Sequence, residues 1–170
     1  PERHRRQLYG RRKGPKLSAH QRHLIDTLLP QLALKPELGA DPKTYFDHAD
    51  DVWLEVGFGA GEHLLWQARH HPNVGMIGAE PYISGVAKLL SKIDEAKTPN
   101  IRLYIDDARD IIDALPDASL GRVFILFPDP WPKTRHHKRR FVQTDLLDRL
   151  ARVMKPGAEL RFASDDAPYF

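Results

Sequence analysis

Acidic residues occupy a repeated place in this 170-residue sequence, at the ends of short apolar runs. Glu55 lies inside Val52–Val56, directly ahead of the glycine run Gly57-Phe58-Gly59-Ala60-Gly61. Glu80 follows Val74–Ala79, Asp106 and Asp107 follow Ile101–Ile105, and Asp129 follows Val123–Phe127. Asp165 and Asp166 follow Glu159–Ser164. One or two such acids are ordinary at strand ends and helix N-caps. A whole row converging on one crevice is better explained by a ligand. The glycines allow a tight turn and a close approach to the main chain. Glu80 stands 19 residues beyond Gly61, a distance at which a carboxylate can accept from both hydroxyls of a ribose.

The glycine run is shared by several cofactor classes, so its neighbours decide between them. A dinucleotide fingerprint wants Gly or Ala one place after Gly61, where this sequence has Glu62. Glu55 faces the place a pyrophosphate would fill, and a carboxylate there repels phosphate but suits a cationic amino group. S-adenosylmethionine has such a group, two ribose hydroxyls and no phosphate. A nicotinamide cofactor is the competing reading, and a packing turn without ligand is the plain one.

The sharpest segment is Phe127-Pro128-Asp129-Pro130-Trp131-Pro132-Lys133, a carboxylate and an aromatic in a proline frame. Arg135-His136-His137-Lys138-Arg139-Arg140 follows at once. Residues 133–140 hold five Lys/Arg and no acid, and residues 1–23 hold eight against Glu2 alone. The net charge of +3 therefore hides an acidic body with two basic segments, an arrangement that points to a polyanion docking on selected surfaces. His136 and His137 are adjacent with no spaced third ligand, so no metal site is expected. His63 reads as a helix-surface or core residue. His70 and His71 fall at a helix end, where a cation is favoured.

These residues need a scaffold, and the spacing supplies one. Hydrophobic residues at 41% and charged residues at 29% fit one globular domain. The absence of cysteine excludes disulfide scaffolds, thiolate metal sites and cysteine nucleophiles. The longest apolar run, Val123–Phe127, is too short to span a bilayer, and the arginine-rich start lacks a secretory signal, so a cytoplasmic soluble protein is expected. Ser18 and Gln21 have capping-box spacing and open a helix with Leu24, Ile25, Leu28, Leu29 and Leu32 on one face; Pro30 should end or kink it. Residues 1–17 read as a basic flexible arm and 35–50 as a linker. Strands are expected at 52–56, 74–79, 101–105, 123–127 and 159–164, with helices between them and Lys155-Pro156-Gly157 stopping the last helix. Such alternation means a mostly parallel sheet with helices on both faces, and ligands beyond the carboxyl ends of its strands.

The block Phe127 to Arg140, with Leu54–Gly61 and the arm Tyr9-Gly10-Arg11-Arg12-Lys13-Gly14, resembles the bacterial tRNA (guanine-N7-)-methyltransferase family. The resemblance covers nearly the whole sequence; its Pro-Asp-Pro-Trp block is specific and its glycine loop generic. It implies an α/β, Rossmann-like class I methyltransferase fold over residues 18–170, S-adenosylmethionine as cofactor, and tRNA as partner. The modified atom would be N7 of the variable-loop guanine at position 46 of the usual tRNA numbering. Carried over by motif, Glu55, Gly57, Glu80, Asp107 and Asp129 would line the cofactor, with Asp129 as the active-site acid. Lys133 and Asp165 would contact the tRNA. Asp106 and Asp166 shadow two of these positions by one residue, and Ala108 favours Asp107. Lys133, Arg135, Lys138, Arg139 and Arg140 would hold phosphates, and Trp131 would stack on a base or anchor its loop. Family members continue past strand five into a hairpin with a Thr-x-x-Glu segment, whereas this sequence stops at Phe170, so the domain is expected to be incomplete at its C-terminus. Monomer and homodimer both remain open. The alternatives are an RNA-binding module that keeps a methyltransferase scaffold without catalysis, an exocyclic-amine methyltransferase (its motif would need a second proline before the aromatic) and a nucleotide-dependent oxidoreductase.

Overall fold

The computed structural model describes residues 14–169, so most of the expected basic arm, residues 1–13, lies outside the described residues. Five strands form one parallel sheet in the order β3-β2-β1-β4-β5. They are β1 Asp51–Val56, β2 Val74–Ala79, β3 Ile101–Tyr104, β4 Leu120–Leu126 and β5 Met154–Ala163. Helices α1 Ala19–Thr27 and α2 Leu29–Leu32 precede the sheet, and α3 Glu62–His70, α4 Ile83–Ala96, α5 Ala108–Ala114 and α6 Thr144–Val153 connect its strands. Period-two alternation separates the two faces. Trp53, Met76 and Phe124 pack with Leu64, Leu89 and Leu90 under α3 and α4. Val52, Leu54, Ile77 and Val123 pack with Ile111, Ile112, Leu146 and Leu150 under α5 and α6. Burial on both faces is why these strands are nearly all apolar.

Local chemistry explains the boundaries. Ser18 Oγ accepts from the Gln21 N–H at 3.0 Å and the Gln21 side chain accepts from the Ser18 N–H at 3.0 Å, the reciprocal cap its spacing implied. Pro30 does not kink a continuing helix: the break comes at Leu28, and Pro30 sits in the first turn of α2, where no N–H is required of it. The residues after α2 add to the sheet edge through an Ala33–Leu103 bridge, with the Leu34 N–H donating to Leu103 O at 2.8 Å. β4 begins three residues earlier than expected. β5 takes in Lys155-Pro156-Gly157, because the chain passes from Val153 straight into the strand through an irregularity opposite Leu120 and Arg122. An edge strand tolerates that proline, since its outer side needs no ladder donor. The walk of the strands reverses between β1 and β4, and the crevice at their carboxyl ends is the place for a ligand.

Candidate functional site

The glycine loop leaves β1 with Gly57 donating to Ala79 O at 2.7 Å and turns into α3 at Gly61. Gly57, Gly59 and Gly61 have φ of +67°, +59° and +82°, where an L side chain is strained. Their surroundings differ. A Cβ on Gly61 would stand 2.5 Å from Leu89, and one on Gly85 of α4 would stand 2.2 Å from Gly59 O, so the loop and α4 meet backbone to backbone. Beside Gly59 a Cβ would meet nothing within 4 Å, and beside Gly57 only Glu80 Oε2 at 3.9 Å. One face of the loop is therefore packed and the other open. Lys92 of α4 pins the turn, donating to Ala60 O at 3.1 Å and to Glu62 Oε1 at 2.9 Å. Nothing in the linear pattern marks Lys92, because the contact bridges 32 residues.

The row of acids divides by environment. Glu55, only 3% exposed, is paired with His63 Nδ1. Burial raises its pKa, and the contact with His63 offsets part of that rise. Glu80, beyond β2, is pushed up to about 7, chiefly by burial; a hydrogen bond from the Gly59 backbone lowers it and the Asp129 charge raises it. Asp107 is buried at the N-cap of α5, and Arg109 engages both its oxygens, the backbone N–H at 2.9 Å and Nη2 at 2.6 Å among the contacts. The residue assigned to the cofactor thus already serves its own helix. Asp106 accepts from the Asp107 N–H at 2.8 Å.

After β4 the chain turns away at Phe127 and again at Trp131, with φ of +52° and +43°. Non-glycine residues in that region are held there at a cost, and they cluster at functional sites. The turns leave Asp129 exposed between its prolines. Arg140 holds the loop in shape. Only 9% exposed, it donates to Pro130 O at 2.8 Å, Pro168 O at 3.0 Å and Asp166 Oδ2 at 3.0 Å, and lies over the Tyr169 ring. This corrects the reading of Arg140 as a phosphate ligand: its donors are already directed inward. Arg139 lies 5.1 Å from the centroid of Trp131, whose edge meets His136, so that ring has partners within its own loop. Lys133, Arg135 and Lys138 are exposed. Asp166 is taken by Arg140, whereas Asp165 beside it is exposed.

Sequence reasoning missed His63 as part of the site and gave Arg140 a phosphate-holding role in place of its structural one. Both belong to segments that it did single out, but their partners come from other segments and follow no fixed spacing. Among the described residues no three His, Asp or Glu side chains gather as a metal site, and no helix is long and apolar enough to cross a membrane.

A family model described as "Putative methyltransferase" matches residues 49–170. The chain is 52% identical over 169 residues to the tRNA (guanine-N(7)-)-methyltransferase of Rhodospirillum rubrum, a match covering 95% of this chain and 66% of that relative. It is 49% identical over 176 residues to the protein of the same name from Ruegeria pomeroyi, covering 99% and 74%. The chain thus spans about two thirds to three quarters of the length of these curated relatives. Among solved structures, the antibiotic-resistance methyltransferase Kmr matches at a TM-score of 0.53 and 22% identity, covering 78% of this chain and 74% of that one. An antibiotic-related methyltransferase matches at 0.53 and 20%, covering 91% and 67%. At such identity the likeness concerns the fold.

Proposed function

The chain belongs to the tRNA (guanine-N(7)-)-methyltransferase family, and from that membership we propose that it transfers the methyl group of S-adenosylmethionine to N7 of guanine 46 in tRNA. One observation carries the reading onto these residues: the open face of the glycine loop is bordered by Glu80, with buried Glu55 at its root and Asp129 close enough to raise the Glu80 pKa. The uncovered backbone of Gly57 and Gly59 fits an adenosine-bearing ligand. Glu80 would accept from its ribose hydroxyls, and Glu55 would take its ammonium group. The donor supplies an electrophilic methyl: the N7 lone pair forms the new bond as the carbon–sulfur electrons return to sulfur, and the purine becomes cationic.

N7 presents its lone pair unaided, so no residue has to remove a proton from the nucleophile. Catalysis is then positioning and electrostatics. Asp129, rigid between two prolines, would accept from guanine N1–H and N2–H and stabilise the charge that develops on the ring. A charge-assisted bond of this kind contributes about 1.5–3 kcal/mol. Lys133, Arg135 and Lys138, all exposed, would meet phosphates, and exposed Asp165 would meet the tRNA. The base must leave its tertiary contacts to reach Asp129, at a cost of a few kcal/mol. Asp107 would line the cofactor from the end of β3. The working form would be a monomer or homodimer in the cytoplasm, with residues 1–17 as a basic arm on the RNA.

The test is mass spectrometry of nucleosides, and of ribonuclease fragments that locate them, from unmodified tRNA incubated with the complete gene product and S-adenosylmethionine. Formation of 7-methylguanosine at position 46 supports the proposal. A methyl group on an exocyclic amine, or calorimetric binding of a nicotinamide dinucleotide in place of S-adenosylmethionine, overturns it.

A further inference from the structure

His63 plays no part in the chemistry described above, yet it is the side chain on which buried Glu55 depends. Glu55 lies on the sheet face beneath α3, between Gly78 of β2 and Phe124 of β4, neither of which offers it a polar side chain. A carboxylate so far from water takes up a proton unless a partner compensates its charge. His63, one residue into α3, supplies that partner through Nδ1. Its ring is fixed by two further contacts. Phe124 meets it edge to face at 4.9 Å, and the Gln67 amide nitrogen stands 3.2 Å from its Nε2. An ionised carboxylate only accepts, so its contact with Nδ1 calls for a ring proton on that nitrogen, aimed at Glu55.

Gln67 makes this arrangement informative. It is itself buried, and its Oε1 has no hydrogen-bond partner. Turning the amide over would present Oε1 to Nε2 and would demand a second proton on the ring. Either way round, the Gln67 amide fixes the ring with Nδ1 toward Glu55. Other charged groups around the pair are directed elsewhere. Arg122 of β4 lies over Trp53; Arg161 of β5 lies over Phe124 and pairs with Glu159. Glu62 of α3 pairs with Lys92 of α4, His70 stacks on Trp66, and Glu80 accepts from Gly59 across the loop.

We propose that His63 is a positioning residue of the methyl-donor site: set by Gln67, it holds the Glu55 carboxylate oriented and negatively charged to receive the donor's α-ammonium. The inference rests on the S-adenosylmethionine reading and names what tunes that site. It makes two ligands diverge. S-adenosylmethionine carries the ammonium, whereas methylthioadenosine keeps the adenosine and lacks it.

The experiment is calorimetry of both ligands against the complete gene product between pH 6 and 9, for the wild type, His63→Ala and His63→Asn. His63→Ala should weaken S-adenosylmethionine about tenfold at neutral pH and move the inflection of its affinity to higher pH. Its affinity for methylthioadenosine should stay unchanged. His63→Asn, whose amide N–H can replace Nδ1–H, should restore S-adenosylmethionine binding and the pH profile. Equal loss of both ligands, or an unmoved inflection, makes His63 a structural prop and overturns the proposal. Should His63→Ala fail to fold, nitrogen NMR of the wild type decides: a proton on Nδ1 at pH 8 supports it, and a bare Nδ1 overturns it. A wild type that binds neither ligand refutes the donor reading instead.

Discussion

Substituting Glu80→Gln should make the protein more stable at pH 8 while weakening its hold on the donor. Burial, with the Asp129 charge adding to it, keeps the native Glu80 carboxyl at about 7 against an ordinary 4.5. Between those values the native chain keeps a proton that the unfolded chain releases, so stability from this group is highest below 4.5 and falls as the pH climbs to about 7. At about 1.36 kcal/mol per pH unit the gap corresponds to about 3 kcal/mol. Glutamine has nearly the same shape, can still accept from the Gly59 N–H and carries no charge, so it removes the penalty. The gain at pH 8 should approach that figure, or roughly 6–12 °C in Tm for a domain of this size, and should vanish near pH 4.5. Urea unfolding of both proteins at several pH values reads the difference, since titrating groups that do not interact with Glu80 cancel. A Glu80→Gln gain that is the same at pH 5 and pH 8 would refute the assignment of a raised pKa. The donor should bind more weakly to the variant, because a neutral amide is a poorer acceptor for two ribose hydroxyls than a carboxylate is.

Other residues separate chemistry from architecture. Asp129→Ala should retain donor and tRNA binding but lose turnover by roughly 10- to 100-fold, the rate equivalent of one charge-assisted bond; single-turnover methylation measures it, and an unchanged rate removes Asp129 from the reaction. Replacing Lys133, Arg135 and Lys138 together by Gln should weaken tRNA binding and flatten its dependence on salt by about 0.7 for each phosphate no longer neutralised, if these residues meet single-stranded segments. Arg140→Ala should instead lower stability by about 1–3 kcal/mol, because it leaves the half-buried Asp166 carboxylate and the Pro130 and Pro168 carbonyls without their donor. Its salt slope, read in the same filter-binding titration, should match the wild type once folded protein is counted.

The order of elements was open to reading from pattern alone. Period-two and period-3.6 runs of apolar residues act locally, and so do the Ser18 cap and the glycine punctuation; five strands, their intervening helices and the crevice followed from them. Boundaries were less accessible where tertiary contact decides. β4 lengthens toward Leu120 because Met154 of β5 pairs with it, and Pro156 enters β5 because its outer edge asks for no donor. The acids after the strands were visible for the same local reason: each lies at the place where a parallel strand delivers its next residue to one rim.

What the linear order determined about this protein, then, is which residues reach the crevice; their charge and their partners were decided by the folded chain. Glu55 and Glu80 look alike in sequence, yet one is compensated by a histidine from α3 and the other is left with a neighbouring carboxylate. Arg140 looks like Lys138 in a basic run, yet one guanidinium is folded onto Pro130, Pro168 and Asp166 while the other cation is exposed. The physical reason is that desolvation and Coulomb interaction depend on distance through space, and only packing brings residues from separate segments close enough to act on one another.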